Sequence, residues 1–192
     1  MTYKTIQPPF TLNLREMPKA DLRRYFQWFL EVLPGRIDEL AEAVRGTPGF
    51  ERWIPDRSVA SLDTLGKWFV GQVDTRKRSE EEMRRISGHQ PFPIEVGGAE
   101  LTNRTFSLAM DVGMYFSQVL LESCPSLKWE QPLGNKRFVD YGQPVLSGFG
   151  KVTLNPVRVA VTTAYAAAKG NTSHKTLGEI YEYWAQRVQP GS

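Results

Sequence analysis

From Thr102 to Ser123 the sequence permits little besides one long helix. Phe106, Met110, Met114 and Leu121 mark one face. Ala109, Gly113 and Ser117 recur four apart on nearly the same face. Thr102 and Asn103 are both good N-caps, and Cys124-Pro125 ends the pattern, because the residue before a proline avoids helical backbone. Small residues at that spacing let a second helix come close. This helix is therefore expected to be central and buried, and the rest of the chain must supply the layers that cover it.

The chain supplies several. Leu22, Tyr25, Phe26, Phe29, Leu30 and Leu33 follow Pro18 at helical spacing. Pro34-Gly35 is expected to break that helix, and Ile37, Leu40, Ala41 and Val44 mark another. Trp28 and Val32 lie off the stripe. Leu62, Leu65, Phe69 and Val73 give a further helix, and Ser79 with Glu82 matches a capping box before a short charged one. Asn155-Pro156 reads as N-cap and first helical position, opening a stripe from Val157 to Ala168. A last helix carries Leu177, Ile180, Tyr181, Trp184 and Val188.

Strands are fewer. Phe10–Leu14 alternates apolar and polar residues and suits a short strand. Residues 126–131 and 136–141 flank Pro132-Leu-Gly-Asn135, good turn chemistry, so a β-hairpin is expected there. Extended backbone is expected again at Val145-Leu146 and Val152–Leu154. The fold class is then α+β: about six helices with a small antiparallel sheet near 126–154. The loop 87–100, with Pro-Phe-Pro and Gly-Gly, is a weak candidate boundary. Neither side of it holds an obviously complete core, so residues 1–192 read as one domain. The ends, 1–9 and 189–192, are the segments expected to stay loose.

Composition narrows the setting. An apolar content of 41% with 11% aromatics is enough to bury a core. No run of about 20 apolar residues suggests a transmembrane helix, residues 1–10 do not resemble a secretion signal, and a lone Cys124 rules out an internal disulfide. These features point to a soluble cytoplasmic protein. The net charge of +3 is uneven. Residues 1–100 are balanced, and within 123–178 Lys128, Lys136, Arg137, Lys151, Arg158, Lys169 and Lys175 face only Glu130 and Asp140. Such a field steers acidic partners.

Catalytic motifs fail when tested residue by residue. A P-loop ending at Gly150-Lys151 requires glycine at Val145 and Ser/Thr at Val152. Gly97-Gly98 lacks dinucleotide spacing. His89, His174 and Cys124 show no metal-ligand spacing. Cys124 sits at the negative end of a helix, which raises a thiol pKa. Ser147-Gly148 is no nucleophile elbow, for Val145 stands where glycine is needed. No catalytic residue, cofactor or metal is therefore assigned. Arg76-Lys-Arg78 and Arg84-Arg85 are interrupted by three glutamates, so nucleic-acid binding is not expected, nor is membrane binding.

Two main readings remain. The first is a non-enzymatic protein-interaction module, of immunity or adaptor type, whose contact surface is Trp129, Lys136, Arg137, Phe138 and Tyr141 and whose partner is acidic. Trp, Tyr and Arg are enriched at interface hot spots. The alternative is an enzyme or small-ligand binder with a pocket beside the 102–123 helix, at Asp111, Tyr115 and Gln118. The bland account of that polar stripe, with Arg104 and Glu122, is a solvent face holding one Arg–Asp pair. A homo-oligomer packing Trp28 and Val32 on a copy is a third reading.

Overall fold

A computed structural model describes residues 3–88, 98–171 and 176–189. Among them are six helices: α1 (Lys19–Arg45), α2 (Val59–Gly71), α3 (Glu80–Gly88), α4 (Asn103–Ser123), α5 (Pro156–Ala168) and α6 (Leu177–Ala185). Two small antiparallel sheets accompany them. One pairs β1 (Thr75–Lys77) with β2 (Ala99–Leu101); the other runs β3 (Lys128–Glu130), β4 (Val145–Phe149), β5 (Val152–Leu154), in that order. The fold is α+β and mostly helical, as expected.

Helix α4 is the hub. Every residue from Ser107 to Ser117 is buried, and α1, α2, α5 and α6 all pack on it. Thr102 is the N-cap, its side chain accepting from the Thr105 N–H. Gly113 explains how α5 comes so close. A Cβ there would lie 2.7 Å from the Val157 Cα and 2.8 Å from the Pro156 carbonyl oxygen. No side chain fits between these backbones. Asn155 caps α5 by accepting from the Arg158 N–H, with Pro156 in the first turn.

Three local expectations are corrected. Pro34-Gly35 does not break the first helix; α1 runs through it. Both residues are exposed, so the missing N–H and the ring face solvent. Leu33, Ile37, Leu40 and Val44 continue the apolar stripe across the proline, and burial of that one face outweighs the lost bond. Phe10–Leu14 forms turns rather than a strand. The Asn13 N–H bonds to the Thr11 carbonyl, and Glu16 and Met17 donate back to Asn13. Phe10 packs edge-on against Tyr25 and Trp28, with ring centroids 6.1 and 6.3 Å away.

The hairpin partner also differs. β3 pairs with β4, Lys128 opposite Ser147 and Trp129 opposite Leu146, and not with 136–141. The 136–141 backbone is spent on turns. Phe138 N–H donates to Asn135 O, Tyr141 N–H to Phe138 O, and Arg137 N–H to Asn135 Oδ1. An asparagine that bonds its own following backbone competes with a ladder and wins here. Further on, the glycines of Ser147–Gly150 serve a bulge and a turn, with φ of 116° at Gly148 and 73° at Gly150.

One buried cluster draws on both sides of the 87–100 loop: Leu62, Trp68 and Phe69 meet Leu108, Phe116 and Leu146. A second joins Phe29 and Leu33 of α1 to Met110 and Met114 of α4. β1 and β2 pair Thr75 with Leu101, closing the two flanks of that loop on each other. The expected Ser79–Glu82 capping box is present, and Arg76 holds Glu82 and Glu100 together.

Candidate functional site

The loop from Gln131 to Pro144, between β3 and β4, holds four of the five residues expected at a contact surface. Its base is closed. The Gln131 side-chain amide donates to Gly142 O (2.9 Å) and to Leu22 O (2.6 Å), and Gly142 N–H donates to Pro132 O (2.9 Å). Its far side is pinned from within. Asp140 is buried and accepts from Asn155 Nδ2 (2.9 Å) and from Arg158 (3.0 Å). Tyr141 is only 2% exposed.

Between these anchors four consecutive side chains point outward. Lys136 and Arg137 are exposed, Phe138 is 38% exposed and Val139 59%. Among the described residues neither cation is in an ion pair. Trp129 is half-buried, its ring edge-on to Phe29 at 5.3 Å. The structure thus puts the adjacent Lys136, Arg137 and Phe138 at the surface, packs Trp129 on α1 and buries Tyr141.

The other expected cluster is divided. Asp111 is fully buried and faces α1, where Arg36 grips it with Nε to Oδ1 at 2.8 Å and a terminal nitrogen to Oδ2 at 2.7 Å. The Tyr3 hydroxyl donates to Oδ2 as well. Burial pushes the Asp111 carboxyl up, while Arg36 and then Tyr3 pull it back. Burial likewise raises Tyr3, with the Asp111 charge adding to it. Tyr115, one turn on, serves different neighbours: Ser61 Oγ at 2.6 Å and the Arg57 N–H at 2.9 Å. Gln118 is half-buried. The solvent-face account of this stripe fails at Asp111, because α1 and the N-terminal segment cover it. Arg104 bonds Gln72 instead.

A cleft of about 590 Å³ lies beside α4, the helix at which a pocket was expected, but its lining is not the expected Asp111, Tyr115 and Gln118. Phe106 and Met110 of α4 and Val157 and Val161 of α5 form its walls, and the N-terminal segment from Thr5 to Leu14 runs along it. The one local hint was Phe106 and Met110 on the same helical face. The segment that completes the cleft lies about a hundred positions away in sequence and gives no periodic signal.

Cys124 is half-buried at the end of α4, and its thiol is raised, in the expected direction, by burial. His89 and His174 lie outside the described residues. No group of metal-ligating side chains occurs among the described residues, and no helix there is long and apolar enough to cross a membrane. No protein-family model, curated protein or solved structure matches this chain.

Proposed function

We propose that this chain is a non-enzymatic, cytoplasmic protein-interaction module, of the immunity or adaptor kind, that docks an acidic partner through Lys136, Arg137, Phe138 and Val139. One observation carries the reading. Two cations without an ion pair among the described residues and two exposed apolar side chains stand side by side on a loop closed by its own hydrogen bonds. A loop ordered before binding loses little entropy on docking. Cations beside apolar groups match a partner patch of carboxylates around a hydrophobic pocket, and steer the encounter. The buried acids offer little for catalysis, since Asp111 and Asp140 already bind Arg36 and Arg158.

The test is capture from an extract of the native cells, comparing the wild type with Lys136→Glu/Arg137→Glu. A stoichiometric protein retained by the wild type, released by added salt and lost with the charge reversal supports the reading. Retention that survives the reversal in a folded variant removes this loop from the contact.

A further inference from the structure

We propose that the cleft beside α4 is a binding site for an uncharged, largely apolar small molecule carrying a hydrogen-bonding group such as a hydroxyl, ester or amide. This site borders the protein-docking loop, whose Gln143 and Pro144 line it, but uses none of that loop's four outward side chains.

Size and chemistry set the ligand class. A volume of about 590 Å³ falls within the range of small-molecule sites. The walls are apolar, and none of the lining residues is charged. The buried carboxylates that adjoin the lining are neutralised: Asp111, next to Met110, by Arg36, and Asp140, bonded to Asn155, by Arg158. An ionised ligand entering this cleft loses its water and meets no counter-charge, which is costly. Neutral amides remain to orient a polar group. Among the described residues the Gln7 and Asn103 side chains make no hydrogen bond. Gln143 accepts from Asn155 Nδ2 through Oε1 (2.7 Å), which leaves its Nε2 with only a long contact, 3.5 Å, to Val139 O.

Access is built into the N-terminal segment. It is fixed at one end, where Tyr3 and the Ile6 N–H bind Ser107 Oγ at 2.8 and 2.7 Å and Arg36 donates to Lys4 O at 2.9 Å. From Gln7 to Leu12 it makes no hydrogen bond to the helices or sheets described. Leu12, at the mouth, is 43% exposed. A strap without hydrogen bonds along its middle, held there by the packing of Phe10 on Tyr25 and Trp28, parts from α4 more readily than a hydrogen-bonded element.

The neutral dye Nile red, titrated into the full chain, tests the site. The wild type is expected to give saturable, blue-shifted emission, and 1-decanol to displace the dye at least about tenfold more effectively than decanoate. Val161→Phe, which fills the cleft, is expected to weaken dye binding by about tenfold or more with an unchanged circular dichroism spectrum and melting temperature. Leu12→Glu places a charge at an exposed position of the mouth and is expected to act the same way, so the test survives a poorly folded Val161→Phe. Lys136→Glu/Arg137→Glu should leave dye binding intact. No saturable emission, or equal emission from Leu12→Glu, overturns the site. Equal displacement by decanoate overturns the ligand class.

Discussion

Arg36 and Asp111, 75 residues apart, form a two-point ion pair at the meeting of α1 and α4, with Tyr3 closing its third side. The aspartate is fully buried and the arginine side chain 13% exposed, so water does little to screen either. Removing one partner strands the other. Asp111→Ala is expected to cost about 3–5 kcal/mol, and Arg36→Met/Asp111→Leu to recover most of it. Urea denaturation of the three variants checks this. A small loss for Asp111→Ala would show that the clamp contributes little to the fold.

The same clamp seats the N-terminal segment. Asp111→Asn keeps the shape but weakens the grip on Arg36. Limited proteolysis is expected to cut Asp111→Asn within the first dozen residues much faster than the wild type, while the helical core resists both. Equal cutting would mean that packing of Phe10 on Tyr25 and Trp28 suffices to hold the segment.

Tyr25 predicts an alkaline weakness. Burial pushes its phenol up to about 12, above the ordinary 10.0. Below about pH 10 both folded and unfolded states keep the proton, and stability is unaffected. Between about 10 and 12 only the unfolded chain releases it, so stability falls as pH rises, by about 2–3 kcal/mol in all. Urea midpoints at about pH 8 and about pH 11 should converge in Tyr25→Phe relative to the wild type, Tyr3 adding a separate loss common to both.

Gly113 admits no side chain. Gly113→Ala places a methyl 2.7–2.8 Å from the α5 backbone, and no flexible group is there to yield. A loss of about 2 kcal/mol or more is expected, read from the melting temperature. An unchanged melting temperature would mean that α5 can draw back from α4 freely.

Pro34 should be replaceable with profit. It sits exposed inside α1, where its ring removes a helical N–H. Pro34→Ala is expected to stabilise the protein by about 1–3 kcal/mol. A destabilised variant would show that a bend at this proline is needed for Leu33 and Leu40 to share one face.

These residues also show what could be read in advance. Phe106, Met110 and Gly113 announced a buried helix because burial on a helix leaves a local, periodic trace. Thr102, Asn155 and the Ser79–Glu82 pair announced helix starts for the same reason: a cap lies within three residues of what it caps. Pro34 misled, because a proline's local cost says nothing of the apolar faces that join across it. The pairing of β3 with β4 was hidden because Asn135 commits the following backbone to turns, and the buried Leu146, farther along the chain, takes the place opposite Trp129. Nothing near Asp111 names Arg36. Of the expected surface, Lys136 and Arg137 were legible as charges, while the inward turn of Tyr141 depends on packing with no sequence period.

The ribosome makes Tyr3 and α1 long before their partner. Asp111 follows Tyr3 by 108 residues, and Met110 and Met114 come with it. Until α4 has emerged, Arg36 has no counter-ion and Phe29 and Leu33 have no wall to lie against. The nascent chain therefore carries an exposed apolar helix face while everything between Leu33 and Met114 is made, an invitation to chaperones, and a ribosome stalled before α4 releases a product that cannot bury it.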